Sequence, residues 1–167
     1  MDEISLQRIT QAHPKLRAEL SKIYIEANNA LGKNVRLRFT QVLRTFKEQD
    51  ELYAQGRTKK GKIVTNAKGG QSYHNYGLAI VFCLLIDTNG DGTFETPSFD
   101  PLKDFDGDRI ADWQEVVAVF KKYGWEYGGD WRFKDLPHFQ KTFGYSWQKL
   151  LELHKAGKVD KQGYVLI

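Results

Sequence analysis

The sequence has a single cysteine, Cys83, so no internal disulfide can stabilise the fold. It also lacks a long hydrophobic run: the longest, residues 78–86, has the length of a strand and is too short to cross a bilayer. The first ten residues show no basic and then hydrophobic stretch, so no Sec-type signal peptide is visible. We therefore expect a chain that is made in the cytoplasm, has no membrane span and acts elsewhere only after release by another route.

The 167 residues contain no repeat, low-complexity tract or linker rich in proline or serine. This length suits one compact domain, 1–167, with an ordinary hydrophobic core. Hydrophobic residues make up 41% and charged residues 28%, which is typical of a globular protein rather than a disordered one. We expect this domain to be a monomer.

Charge is divided unevenly along the chain. Residues 87–115 hold nine acids and two bases, a local charge of −7, whereas the remainder holds 23 bases and 12 acids, giving +11. The high positive charge outside residues 87–115 suits an anionic partner such as nucleic acid, a lipid surface or a cell wall. Composition alone does not distinguish these partners. The acidic segment, interpreted as an insertion at about 87–115, repels itself unless it is extended in solvent or holds a cation.

The hydrophobic pattern predicts an α+β fold, with a small antiparallel sheet packed against helices. Residues 35–40 alternate between hydrophobic and polar and predict a strand, and the run at 78–86 predicts a buried one. Two short strands or turns are expected within 127–140, and residues 57–73 are predicted to form a basic loop. Helical spacing predicts four helices, at 14–31, 47–55, 112–123 and from Ser146 onward.

Two histidines lie in contexts that suit metal binding. His74 comes just before the strand predicted at 78–86, and His138 follows Asp135 by three residues. Imidazoles from separate elements of a rigid sheet can hold a metal and leave one coordination position open for water. An acid beside that position can take a proton from the water. On spacing alone, structural histidines and a turn initiated by Asp135 remain open alternatives.

Longer segments around these residues resemble a known enzyme family. Residues 72–79, Ser-Tyr-His-Asn-Tyr-Gly-Leu-Ala, match the start of the S-x-H-x-x-G-x-A-x-D signature of the VanY-like family. This family contains D-alanyl-D-alanine carboxypeptidases and L-alanyl-D-glutamate endopeptidases, including many phage endolysins. Residues 135–139 match its D-x-P-H signature, residues 43–49 resemble its R-[ST]-x-x-x-Q segment, and Gly-Gly-Asp-Trp at 128–131 resembles a further element. The motifs occur in the family's order and span more than half of the chain.

The resemblance implies a zinc peptidase that cleaves the stem peptides of bacterial peptidoglycan and so acts on the cell wall. An anionic wall agrees with the basic body of the chain. By resemblance, zinc is ligated by His74 and His138, and Asp135 is the general base that activates water. Three further residues are implied to contact the reacting peptide: Arg44 to stabilise the oxyanion, and Gln49 and Ser72 to orient the peptide.

The sequence departs from the family at the third zinc ligand. The signature has Asp seven residues after the first His, and here that position holds Val81. Valine has no lone pair, so two histidines and water would hold zinc much more weakly. Cys83 is an alternative ligand on the same strand face, but it lies about 7 Å further along the strand. We expect a family member inactivated at Val81, or else a non-catalytic module that binds peptidoglycan on the same fold.

The acidic segment contains a pattern that resembles an EF-hand calcium loop, which makes calcium a second cofactor to consider. Arg109 stands at position six, where the pattern has Gly. A helix capping box between Asp112 and Glu115 is an alternative explanation that is compatible with calcium. Residues 87–92 resemble the start of the same pattern, but no acid follows at position twelve. Carboxylates occupy positions one, three, five, nine and twelve of the main loop, at Asp104, Asp106, Asp108, Asp112 and Glu115.

Two other features carry less weight. Nucleic acid fits the charge of the chain, but the sequence has no recognisable nucleic-acid motif and this partner leaves the histidine motifs unexplained, so it is not expected. Trp125, Tyr127 and Trp131 lie near the second histidine and are able to line a groove for a peptide or sugar. Aromatic residues in a small domain more often belong to the core, and that alternative is preferred.

Overall fold

The structure is a computed structural model, and it describes residues 2–167. This part of the chain forms the predicted α+β fold. Two short 3-10 helices, at Tyr73–Tyr76 and Gly128–Asp130, add to the main elements. No helix within it is long and apolar enough to cross a membrane. The main elements in chain order are α1 (Glu3–Thr10), α2 (Pro14–Ala30), β1 (Val35–Gln41), α3 (Phe46–Ala54), β2 (Ala79–Ile86), β3 (Thr96–Ser98), α4 (Asp112–Lys122), β4 (Glu126–Tyr127), β5 (His138–Gln140) and α5 (Trp147–Lys155).

The sheet is antiparallel throughout, in the order β1-β2-β5-β4. Strand β1 pairs along one edge of β2. On the other edge, β5 pairs with residues 79–81 and β3 pairs with residues 84–86. The central position of β2 explains why its sequence is hydrophobic without a break, because both of its edges are paired and nearly all of its side chains are buried.

The main core lies between the sheet and helices α2 and α4. Alternate residues of β2, including Phe82, face this core together with Trp113 and Phe120 of α4. Phe120 stacks on Phe139 of β5, with ring centroids 4.1 Å apart and planes 9° apart. Because Phe139 is fixed in this way, the neighbouring His138 must project from the opposite face of β5.

Two elements are absent from the sequence-based prediction. Helix α1 begins after Asp2, whose side chain accepts the backbone N–H of Ser5 at 2.9 Å and forms an ion pair with Arg38 of β1. Strand β3 has three residues and includes Pro97. A strand this short has no hydrophobic alternation to detect, and its pairing depends on the neighbouring β2.

Candidate active site

The structure brings six of the predicted site residues into one cleft of about 490 Å³. The two imidazole rings lie with their centroids 5.1 Å apart and their planes nearly perpendicular. His74 comes from the 3-10 helix before β2, whereas His138 begins β5, so two separate elements supply the rings. The predicted residues that line the cleft are Arg44, Ser72, His74, Val81, Asp135 and His138.

The hydrogen bond of His74 defines which of its nitrogens is free. Its Nδ1 lies 2.8 Å from the carbonyl oxygen of Val42, and a carbonyl can only accept. Nδ1 must therefore carry the proton, which leaves the lone pair on Nε2. A backbone carbonyl that fixes the tautomer and the ring orientation is a common arrangement behind a metal-ligating histidine.

His138 is oriented by a chain of two further side chains. Its Nε2 lies 3.2 Å from Oε1 of Gln140, and the Nε2 amide of Gln140 donates to Glu126 at 2.9 Å. The carboxylate of Glu126 can only accept, so the amide of Gln140 must turn its oxygen toward His138. Nε2 of His138 therefore donates, and the lone pair is on Nδ1. Neither Gln140 nor Glu126 was among the residues predicted from the sequence.

Both imidazoles are neutral at physiological pH. Burial, with a smaller effect of the nearby His138, lowers the pKa of His74 to about 3. Burial also lowers the pKa of His138, against the opposing effect of Asp135. Neutral imidazoles are the form that ligates metals, so each ring offers one nitrogen lone pair without first losing a proton.

Asp135 lies at the mouth of the cleft, beside the free nitrogen of His138. The distance from Oδ2 of Asp135 to Nδ1 of His138 is 3.8 Å, and about half of the Asp135 side chain is exposed to solvent. The backbone of the Asp135 turn packs directly on Gly128: the Asp135 N–H donates to the Gly128 carbonyl, and a Cβ at Gly128 would lie 2.3 Å from the carbonyl oxygen of Asp135. A glycine is therefore required at 128 for this close approach.

Arg44 follows β1 and is held by two glutamines. Its Nη1 donates to Oε1 of Gln49 at 2.7 Å, and its Nη2 donates to Gln41. Its Nε is buried and has no hydrogen-bond partner in the described residues. Burial lowers the pKa of the guanidinium, while the carboxylates of Glu48 and Asp135 raise it. Arg44 thus places a cationic guanidinium in the lining of the cleft, with its Nε buried beneath the surface.

The structure places Gln49 behind Arg44 and outside the cleft lining. Gln49 is fully buried, and its amide nitrogen donates to the carbonyl of Ala67 at 2.8 Å. Its amide is therefore hydrogen-bonded within the protein, to Arg44 and to Ala67. The burial of this residue depends on the packing of α3 against the loop at 65–67, which spacing in the sequence does not reveal.

Ser72 lines the cleft and also begins the 3-10 helix that carries His74. Its hydroxyl accepts the N–H of His74 at 3.3 Å. Asn75 completes this turn: its Oδ1 accepts the N–H of Ser72, and its Nδ2 donates to the carbonyl of Arg44 at 2.9 Å. Asn75 was not predicted, although an Asn three residues after a Ser is the signal of a reciprocal cap. It fixes the His74 and Arg44 segments relative to each other.

The aromatic residues near the second histidine divide between core and cleft. Trp125 and Tyr127 are buried core residues, whereas Trp131 lines the cleft, with its ring 5.0 Å from that of His138. The preferred core interpretation is therefore confirmed for Trp125 and Tyr127 and is wrong for Trp131.

Comparison with known proteins agrees with this geometry. A family model described as D-alanyl-D-alanine carboxypeptidase matches residues 65–141, which contain both histidines, Val81 and Asp135. The chain is also 47% identical over 129 residues to the peptidoglycan L-alanyl-D-glutamate endopeptidase CwlK of Bacillus subtilis (strain 168). This match covers 77% of this chain and 72% of the relative. The chain belongs to the VanY-like peptidase family.

Val81 stands seven residues after His74, where the family signature has Asp. In the antiparallel register Val81 lies directly opposite His138, so both side chains project from the same face of the sheet into the cleft. Cys83 does not line the cleft: it is buried opposite Arg38, and burial raises the pKa of its thiol to about 11. The residues present therefore fit zinc only in part: each imidazole keeps one nitrogen free, but among the described residues neither histidine belongs to a group of three or more closely spaced metal-type ligands.

The acidic loop of this family member lies apart from the cleft. Within residues 2–167, the groups of three or more possible metal ligands with donor atoms mutually within 4.8 Å are Asp104, Asp106 and Asp108, and Asp106, Asp112 and Glu115. The predicted capping box is wrong. Helix α4 is preceded by Ala111, which makes no side-chain cap, and Asp112 instead accepts the N–H of Phe105 at 2.7 Å. The loop draws this carboxylate away from the helix end.

Proposed function

We propose that this chain is a peptidoglycan peptidase of the L-alanyl-D-glutamate endopeptidase or D,D-carboxypeptidase type whose zinc site is incomplete at Val81. The observation that carries the proposal is the pairing of Val81 with His138 across β2 and β5, in the same cleft as His74. An Asp at this position would face both imidazoles, whereas the methyl groups of valine offer no donor.

In this proposal the chain's own residues supply the positioning and the proton transfer. Asp135 is exposed to water and lies 3.8 Å from His138, which suits a base that removes a proton from the attacking water. Arg44 lines the cleft, and its cationic guanidinium suits the negative charge that develops on the scissile carbonyl. Zinc, when held by His74 and His138, would supply Lewis acidity at this point.

The proposed substrate is the stem peptide of bacterial peptidoglycan, as the name of the Bacillus subtilis relative suggests. The charge of +11 outside residues 87–115 supports an anionic cell wall as the surface on which the protein acts. Trp131 gives the cleft an apolar wall against which a peptide can pack. We further propose an endolysin-type role, in which the protein degrades a bacterial cell wall.

The second candidate function is a module that binds peptidoglycan without cutting it. Val81 is the observation that favours it, because the histidine turn, Arg44 and the cleft are all present while a metal ligand is missing. Without zinc the cleft still offers a cationic guanidinium and two neutral imidazoles to a peptide carboxylate or carbonyl.

Substitution of Val81 by Asp distinguishes the two candidates. Purified peptidoglycan is digested with the unmodified chain and with Val81→Asp, each with added zinc, and released peptides are identified by mass spectrometry. We expect little or no release by the unmodified chain and a sharp rise with Val81→Asp. Without zinc, the new carboxylate should destabilise the fold by about 1–3 kcal/mol because it lacks a partner.

The control variant removes the proposed base and keeps the metal. Asp135→Ala in the Val81→Asp background should lower the rate by about 10²- to 10⁴-fold and leave zinc bound. If Val81→Asp binds zinc stoichiometrically and still releases no peptide, the catalytic proposal fails and the binding module is favoured.

A further inference from the structure

The acidic loop contains buried oxygens that the protein itself leaves without partners. Asp112 is fully buried; its Oδ2 accepts the N–H of Phe105, but its Oδ1 has no hydrogen-bond partner. Oε2 of Glu115, one turn along α4, is also buried and unpartnered. These are two of only three such side-chain atoms in residues 2–167, the third being Nε of Arg44. Burial of an unpartnered carboxylate is strongly unfavourable, so these two oxygens need a partner that the described residues do not supply.

Neither helix capping nor ion pairing accounts for the buried oxygens of Asp112 and Glu115. Asp112 and Glu115 do not cap α4, since the N–H of Glu115 donates to the backbone carbonyl of Ala111. No Lys, Arg or His lies within ion-pair distance of the loop carboxylates in the described part of the chain. The loop therefore concentrates negative charge without internal neutralisation.

The geometry allows a single cation to be shared by the loop. Donor atoms of Asp106, Asp112 and Glu115 lie within 4.8 Å of one another, and so do those of Asp104, Asp106 and Asp108. Asp106 belongs to both groups, so the two groups meet at one carboxylate.

The backbone also adopts the shape that a calcium loop needs. Arg109, at position six, has φ 78°, which is the left-handed conformation that glycine normally supplies there. The strain of holding a non-glycine residue in this conformation is consistent with a loop shaped for a ligand.

The acidic loop at 87–92 provides a contrast within the same chain. Asp87 is also buried, but its Oδ1 accepts the N–H of Gly90 and its Oδ2 accepts the N–H of Gly92. Its oxygens thus both have partners from the backbone. Within the loop at 104–115, Asp104 is satisfied in the same way, by the N–H groups of Gly107 and Arg109. The exceptions are Oδ1 of Asp112 and Oε2 of Glu115, which have no partner.

We propose that residues 104–115 form a calcium site, with Asp104, Asp106, Asp108, Asp112 and Glu115 as side-chain ligands and the carbonyl of Ile110 as a backbone ligand. Five carboxylates on a loop suit calcium, which takes six to eight oxygens in flexible geometry, better than magnesium, which demands a compact octahedron. Zinc prefers nitrogen and sulfur donors. Burial, followed by repulsion from the neighbouring aspartates, raises the pKa of Glu115 to about 7, which agrees with a crowded anionic cluster.

This inference does not rest on the proposed peptidase function. None of residues 104–115 lines the cleft, so their substitution leaves the histidine site in place. Its test uses the melting temperature of the full chain and calorimetric binding of calcium alone, neither of which requires activity.

The full chain, stripped of divalent cations with a chelator and dialysed, is melted in calcium, in magnesium and without added metal. At 100-fold over Kd, calcium should raise the melting temperature by about 5–10 °C, because the ion binds only the folded loop. Magnesium at the same concentration should give a clearly smaller rise. Calorimetry should give one calcium per chain, with Kd on the order of 10⁻⁵–10⁻³ M.

Three substitutions locate the site. Glu115→Gln keeps the shape but removes a charge, so it should abolish the calcium-dependent rise and increase the melting temperature of the metal-free protein. Asp108→Asn, at an exposed position, should fold normally and reduce the rise. Asp87→Asn is the matched control from the other loop and should keep the full rise, whatever its own effect on stability.

Two results would overturn the proposal. One is a melting temperature of the unmodified chain that is indifferent to calcium up to about 10 mM, above the range of weak calcium loops. The other is a calcium-dependent rise that survives in Glu115→Gln or disappears in Asp87→Asn, since the ion would then bind elsewhere. Peptidoglycan digestion plays no part in either result, so failure of the peptidase proposal would leave this one standing.

Discussion

The histidine cleft and the loop at 104–115 both gather side chains that can ligate a metal, but they differ in the charge and hydrogen bonding of those side chains. In the cleft, two neutral imidazoles converge, the second nitrogen of each ring is hydrogen-bonded, and the third position is a valine. In the loop, five carboxylates gather on twelve residues, and two of their buried oxygens have no partner. The cleft thus has few donors and uncharged rings, whereas the loop gathers negative charge and leaves two buried oxygens without partners.

This difference predicts how each site behaves without a metal. A neutral, hydrogen-bonded pair of imidazoles carries no charge repulsion, so the metal-free fold should lose little stability there. A loop of close carboxylates carries repulsion and buried unpartnered oxygens, so its stability should depend on the cation. Proximity of ligands therefore says less about metal dependence than the charge and hydrogen bonding of those ligands.

Substitution of Gln140 should give the largest effect of the variants below. It tests whether the hydrogen bond from His138 to Gln140 orients the imidazole for zinc binding. In the Val81→Asp background, Gln140→Leu removes the acceptor for Nε2 of His138 and frees the ring to change tautomer. We expect zinc affinity, measured by competition with a chelating dye, to fall about 10- to 100-fold. The calcium-dependent melting shift should be unchanged.

Glu126→Gln is the milder companion of that substitution. It allows the amide of Gln140 to keep its oxygen toward His138, so the loss of zinc affinity should be smaller than for Gln140→Leu. Equal losses in the two variants, or no loss in Gln140→Leu, would show that the chain from Glu126 to His138 does not orient the ring.

Substitution of Arg109 tests the loop at 104–115 and should give a smaller effect than substitution of Gln140. Arg109→Gly relieves the left-handed backbone conformation and removes a cation beside the carboxylates. We expect about 1 kcal/mol of added stability in calcium, or a melting temperature about 2–4 °C higher, together with tighter calcium binding.

Phe143→Gly is the matched control for Arg109→Gly, because Phe143 also has a positive φ, 51°, and lies outside the loop. It should leave calcium affinity unchanged. Looser calcium binding in Arg109→Gly, or an equal change in affinity for Phe143→Gly, would contradict the assignment of Arg109 to the sixth position of the loop.

Much of the cleft was predictable from the sequence because its residues lie in short motifs with fixed spacing. The alternation in β1 and the buried run of β2 located the sheet, and the motif around His74 identified Val81 as a departure from the family signature. The supporting contacts were not predictable in this way. The motif named Gln49 but not its hydrogen bond to Ala67, and nothing in the sequence pointed to Gln140 and its hydrogen bond to Glu126. Both contacts join residues more than ten positions apart, and only the folded structure reveals them.

The acidic loop was also only partly predictable from the sequence. The sequence identified its carboxylates but left calcium binding and helix capping open, since Asp112 and Glu115 have the spacing of both. The alternatives separate only through the hydrogen bond from Phe105 to Asp112, a contact formed by the folding of the loop. Hydrogen bonding in the folded protein, rather than the pattern of acids, decides against the cap.

The most direct test of the account is the zinc content of the unmodified chain beside that of Val81→Asp. Each protein is loaded with zinc, dialysed extensively and measured by elemental analysis, with peptidoglycan digestion run on the same samples. We predict well under one zinc per unmodified chain with little digestion, and one zinc per Val81→Asp chain with active digestion, because only the variant has three protein ligands. One tightly held zinc and full digestion in the unmodified chain would contradict the claim that Val81 leaves the site incomplete.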